Sequence, residues 1–139
     1  MTYEIDAKDV EYARHGDRPL LARLFKPRGA GPFPLIVELH GGAWCRGDRL
    51  SDTAINEPLA KSGVVVAALD FRMPPVAPYP ASMADINYAI RWLKTRAAEL
   101  EDERALILKY QHFFSAFRAL LESEARWPNA TAYHVLVKS

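Results

Sequence analysis

His40-Gly41-Gly42 follows directly on the apolar run Leu35 to Leu39 and opens the loop Ala43-Trp44-Cys45-Arg46-Gly47-Asp48. Two adjacent glycines at the end of a buried strand carry no Cβ atoms, so their backbone amides can come close to a ligand. Amides held in this way suit an anion or a developing oxyanion, which fixed dipoles stabilise without reorganising. The same pair would also serve a plain tight turn between strand and helix. A cradle acts only beside a nucleophile, so the remaining side chains decide what chemistry the chain can perform.

The serines are Ser51, Ser62, Ser82, Ser115, Ser123 and Ser139; none has a glycine two residues away on both sides, and no glycine follows Gly63. Cys45 stands beside Arg46, which favours a thiolate, but no histidine is placed by sequence to act as its base, so it reads as inert. His112 reads as a helix residue and His134 as part of a strand, while His40 is placed to orient backbone rather than to carry protons. Asp70 and Asp85 could pair for acid–base work, yet a strand end explains the first, and a capping box with Ser82 explains the second. Glu38 interrupts an apolar strand and needs a cation; Arg72, at the end of the neighbouring strand, is the candidate.

The elements that must position these residues follow from periodicity. Tyr3 to Tyr12 and Leu20 to Lys26 read as an antiparallel hairpin around His15-Gly16-Asp17-Arg18. Leu35 to Leu39 and Val64 to Leu69 are nearly continuous apolar runs, the pattern of parallel strands covered on both faces. The helix between them is predicted to start near Asn56, because Pro58 is tolerated in a first turn, and to end at a left-handed Gly63. After a proline-rich loop, Ile86, Ala89, Ile90, Leu93, Ala97 and Leu100 predict a helix from Ser82 to about Leu100. A second helical pattern runs from Glu103 through Leu106, Tyr110, Phe113, Phe117 and Leu120 or Leu121, and Tyr133 to Val137 reads as a last strand.

With 139 residues, half of them hydrophobic, the chain has the size of one domain with a real core. A formal net charge of +1 provides no basic field for nucleic acid or anionic lipid, so a small-molecule or protein partner is expected. One cysteine allows neither an internal disulfide nor a multi-cysteine metal site. No metal or cofactor is expected. The N-terminus lacks a basic-then-apolar signal and no run is long enough to span a bilayer, which predicts a soluble, cytoplasmic protein without membrane contact.

Residues 35 to 44 resemble the oxyanion loop of the α/β-hydrolase fold, in its esterase and lipase branch related to hormone-sensitive lipase. Gly47-Asp48-Arg49 and the stretch DFRMPPVAPYPASMADINYAIRWLK agree with it, and the resemblance runs from about Pro32 to Leu100. It implies an α/β architecture: a partial hydrolase sheet, made of an N-terminal antiparallel hairpin and a parallel βαβ core, with flanking helices and a divergent helical C-terminal segment. Residues 1–100 would be the N-terminal portion of the hydrolase domain, and 101–139 a divergent helix-plus-strand segment rather than a second domain. The family's oxyanion donors fall on Gly41, Gly42 and Ala43, with His40 and Trp44 lining the substrate, a small carboxylic ester.

The family's Gly-x-Ser-x-Gly nucleophile elbow is absent from this chain, and so are its following aspartate and histidine. Two expectations follow. One is the N-terminal half of an ester hydrolase, from a truncated, frameshifted or split gene, inactive by itself. The other is a non-catalytic binding or interaction module that uses the aromatic helix around Phe113, Phe114 and Phe117. Either would leave a sheet edge unpaired, so self-association through that edge or the aromatic helix is expected.

Overall fold

A computed structural model describes residues 2–96 and 106–110. Its strands are β1 (Ile5–His15), β2 (Arg18–Pro27), β3 (Leu35–Leu39), β4 (Val65–Leu69) and β5 (Leu106–Tyr110), with helices α1 (Thr53–Lys61) and α2 (Ala81–Arg96). The strands form one sheet in the order β1-β2-β4-β3-β5. The hairpin β1–β2 and the β2–β4 pair are antiparallel, whereas β3 lies parallel to both β4 and β5. The expected hairpin and parallel βαβ core are both present.

Gly16 turns the hairpin at φ 59°. Glu11 faces Leu21 and Ala13 faces Leu20, which leaves Tyr12 as an extra residue in β1. Such a bulge re-aims the side chain it contains. Tyr12 is buried as a result, and its hydroxyl donates to the Asp70 carbonyl just past β4.

Successive strand residues point to opposite faces, so β4 feeds two cores at once. Val65, Ala67 and Leu69 join Leu35, Val37 and Leu39 against Ile86, Ala89, Ile90 and Leu93 of α2. Val66 and Ala68 join Phe25 against Ala60 and Leu59 of α1 on the other face. Both faces are therefore covered, as the continuous apolar runs require.

Four expectations need correction. The first concerns α1, which begins at Thr53 rather than Asn56, so Pro58 sits inside the helix. The Asp52 carbonyl accepts both Ile55 N–H and Asn56 N–H at 2.9 Å, and the buried Asn56 amide donates to Glu38 Oε2 at 3.2 Å. Asn56 is thus held both by the backbone of the first turn and by a side-chain bond to the sheet. The end of α1 is as expected, with Gly63 at φ 98° and its N–H on the Ala60 carbonyl.

Second, Ser82 and Asp85 form no capping box: α2 starts at Ala81, and Asp85 is committed to Arg72 instead. Third, Arg72 consequently does not serve Glu38. Glu38 stands opposite Ala68, on the α1 face, while Asp85 belongs to α2 on the other face, so the sheet itself separates the proposed pair. In the register of the sheet Glu38 also stands level with Lys109.

Fourth, residues 106–110 are a strand, not a helix. Leu106 pairs with Leu35 and Tyr110 with Leu39, so the edge of β3 expected to lie unpaired is filled by β5. A short apolar run reads equally well in either period, and an open strand edge beside it decides the outcome. Residues 97–100, and the helix, strand and histidines expected within 111–139, lie outside the described residues.

Candidate functional site

The chain leaves β3 through α1 to reach β4 on one side, and reaches β5 on the other side after α2. The strand order therefore reverses at β3. In open α/β sheets, the crevice beyond the C-terminal end of the strand at such a switch point is where ligands bind. His40, Gly41 and Gly42 occupy that point.

The loop is bent against ordinary backbone preference. Gly42 has φ 121°, and Ala43 and Trp44 follow at φ 54° and 61°. Non-glycine residues held in the left-handed region cost about 1–3 kcal/mol each and persist only where their surroundings insist on it. A Cβ on Gly42 would lie 1.9 Å from the Arg46 carbonyl oxygen, so only glycine fits this turn.

Two successive carbonyls in the loop are held from within. The Gly41 oxygen accepts His40 Nδ1–H at 2.7 Å, and the Gly42 oxygen accepts Cys45 N–H at 3.2 Å and the Cys45 thiol at 3.3 Å. In a trans peptide the N–H points opposite to the C=O. The amides of Gly42 and Ala43 are thus turned away from His40 and Cys45, and neither donates to an acceptor among the described residues.

His40 is buried, and its Nδ1 carries the proton that the Gly41 carbonyl accepts. Its ring stacks on Phe71 at 4.6 Å and 8°, with Trp44 packed on the same Phe71 at 5.8 Å. Gly47 lies flush against the imidazole, where a Cβ would come within 2.5 Å of Nδ1. A cleft of about 150 Å³ opens beside the ring, lined by Arg18, Leu20, His40, Asp48, Phe71 and Met73.

Asp70 and Asp85 do not form an acid–base pair, because each has its own arginine. The Asp70 carboxylate accepts Arg49 N–H at 2.8 Å and Arg49 Nη1 at 3.1 Å. Arg49 Nη2 reaches Asp9 on β1 at 2.9 Å, and Arg23 on β2 holds the other Asp9 oxygen at 3.1 Å. The Arg49 hydrogen bond, helped by Arg23, keeps the Asp9 carboxyl below its ordinary value against the opposing effect of burial. Burial, aided by the charges of Asp85 and Asp70, pushes the Tyr12 hydroxyl far above its usual value. Sequence reasoning missed Arg49 and Asp9 as partners, since nothing local marks a contact between residues 40 positions apart.

A mixed sheet with a helix on each face and a glycine loop at its switch point is the α/β-hydrolase fold, which it shares with solved esterases. The sequence profile of the BD-FAE family matches residues 24–109, and the chain belongs to that family. It is 33% identical over 79 residues to the carboxylic ester hydrolase LipN of Mycobacterium tuberculosis, across 56% of this chain and 21% of that protein. To the carboxylesterase NlhH of the same organism it is 39% identical over 73 residues, across 49% and 22% of the two chains. A solved esterase of Pyrobaculum calidifontis superposes at a TM-score of 0.71 with 26% identity, over 78% of this chain and 36% of that one. The chain thus spans about a fifth of the length of the two curated relatives. No helix among the described residues is long and apolar enough to cross a membrane.

Proposed function

We propose that this chain carries the oxyanion-binding part of a carboxylic-ester hydrolase, with the donors in the segment Gly41, Gly42 and Ala43 and with His40 and Trp44 beside the ester. The supporting observation is the pair of held carbonyls, with the Gly42 and Ala43 amides left without an acceptor among the described residues. Attack on an ester carbonyl places negative charge on its oxygen; preset amides stabilise that charge, each worth roughly 10²–10³ in rate in comparable sites. His40 acts through the backbone, by fixing the Gly41 carbonyl. The step needs no metal or cofactor.

Donors alone do not cleave an ester. The 139 residues contain no Gly-x-Ser-x-Gly elbow, so this chain by itself does not turn over activated esters. A serine-directed fluorophosphonate should leave it unlabelled while labelling an intact relative. Stoichiometric labelling at any of its six serines, lost in Gly42→Val, would overturn this reading.

The missing elbow equally favours a non-catalytic binding module on the same scaffold. The two readings part on anion binding. A short alkyl phosphonate should shift the Gly42 and Ala43 amide resonances selectively if the loop is an oxyanion cradle, and leave them unmoved if the loop is only a turn.

A further inference from the structure

We infer that Arg49 is the positioning residue that keeps the glycine loop in its bent shape, by fastening the far end of the loop to two strands at once. This inference deepens the oxyanion reading of Gly42 and Ala43 and rests on it for its functional meaning, although the geometry is independent of any chemistry.

The near end of the loop is fixed by His40, through its stack on Phe71 and its bond to Gly41. The far end needs a fastening of its own, because Ala43 and Trp44 are held in a backbone region they would leave if released. Contacts around Asp48 do not provide one: its N–H meets Ser51 Oγ and its carboxylate meets Leu50 N–H, both within the same turn. Arg49 is different, since it reaches outside the loop. Its own N–H and its Nη1 take the two oxygens of Asp70, just past β4, and Nη2 crosses to Asp9 on β1.

Those partners are themselves fixed. Asp9 is gripped by Arg23, and the Asp70 carbonyl receives the Tyr12 hydroxyl. The Arg49 side chain is 19% exposed and Asp70 21%, so water competes with the bonds only in part. A planar guanidinium can address two carboxylates in different directions; a lysine ammonium on the same stem is a single point charge and cannot reproduce that span.

Backbone amide exchange of the full chain, read residue by residue by NMR, tests this. In Arg49→Gln, exchange of the two hydrogen-bonded loop amides, Cys45 on the Gly42 carbonyl and Asp48 on Ser51 Oγ, should accelerate by about tenfold or more, while Val37 and Ala67 in the strands keep their protection. Arg49→Lys should recover the loop only in part. Asp9→Asn leaves the loop sequence and the Asp70 contact untouched, and should give a smaller acceleration confined to the same residues; it serves if Arg49→Gln does not fold. Unchanged loop exchange in both Arg49→Gln and Asp9→Asn would overturn the inference, and so would acceleration spread equally over loop and strands in step with a lower urea midpoint.

Phosphonate binding separates this inference from the reading it deepens. A loosened loop in a protein whose native form never bound the phosphonate would leave Arg49 as the fastening and refute the cradle. A rigid loop in Arg49→Gln with phosphonate binding intact would do the reverse.

Discussion

Arg72 and Asp85 lock the end of β4 to α2: both oxygens of the carboxylate are engaged, one by Arg72 Nη2 at 2.8 Å and the other by Arg72 Nε and backbone N–H at 2.9 Å each. His15, at the tip of the β1–β2 hairpin, adds Nε2 to the first oxygen at 3.1 Å. Asp85 is 3% exposed. One buried carboxylate thus joins the hairpin, the sheet and the helix that covers it, and Phe71, next to Arg72 in the chain, packs against His40 and Trp44 of the glycine loop.

Removing that carboxylate strands a half-buried guanidinium and a backbone N–H, the situation in which a broken ion pair costs most. Asp85→Ala is expected to destabilise the fold by about 3 kcal/mol. Urea unfolding should show a lower midpoint at unchanged slope.

Acid should reproduce part of this loss. Burial raises the Asp85 carboxyl, but the hydrogen bonds and charge of Arg72 outweigh it and hold the value below the ordinary aspartate range; Asp9 is likewise lowered, chiefly by Arg49. A carboxyl depressed in the folded state contributes stability that is complete above its unfolded value and is lost as pH falls through the folded one. Thermal unfolding should therefore be nearly level above about pH 5 and decline below about pH 4. The acid decline should be shallower in Asp85→Asn, which has one such carboxyl fewer.

Glycines in and beyond the loop should differ sharply in tolerance. Gly47→Ala brings a Cβ within 2.5 Å of His40 Nδ1 at a backbone φ of 101°, so the imidazole must leave the Gly41 carbonyl. The downfield Nδ1 proton of His40 should broaden or vanish in the NMR spectrum. Gly16 at φ 59° meets nothing within 4 Å, and asparagine tolerates that conformation, so Gly16→Asn should change the thermal midpoint little.

Tyr12→Phe keeps the aromatic volume and deletes only the hydroxyl that serves the Asp70 carbonyl. A loss of about 1 kcal/mol is expected, with far-ultraviolet circular dichroism unchanged. A much larger loss would mean that the bulge itself depends on this bond.

The hairpin, the parallel pair Leu35–Leu39 and Val65–Leu69, the left-handed stop at Gly63 and the position of the glycine loop were all legible in the sequence. Each depends on information carried within a few residues: alternation, a continuous apolar run, a missing Cβ. Tertiary structure alone decided the choices between distant partners. Arg72 turned to Asp85 because Glu38 faces the other side of the sheet, where the Asn56 amide of α1 donates to it. Leu106–Tyr110 became a strand because β3 offered an open edge, although its residues fit a helical spacing equally well. The holding of the Gly41 and Gly42 carbonyls was settled the same way, since it depends on His40 and Cys45 rather than on the glycines themselves. Local sequence sets what a backbone is free to do; which freedom is used depends on contacts that exist only once the sheet has brought its two faces and its edges into place.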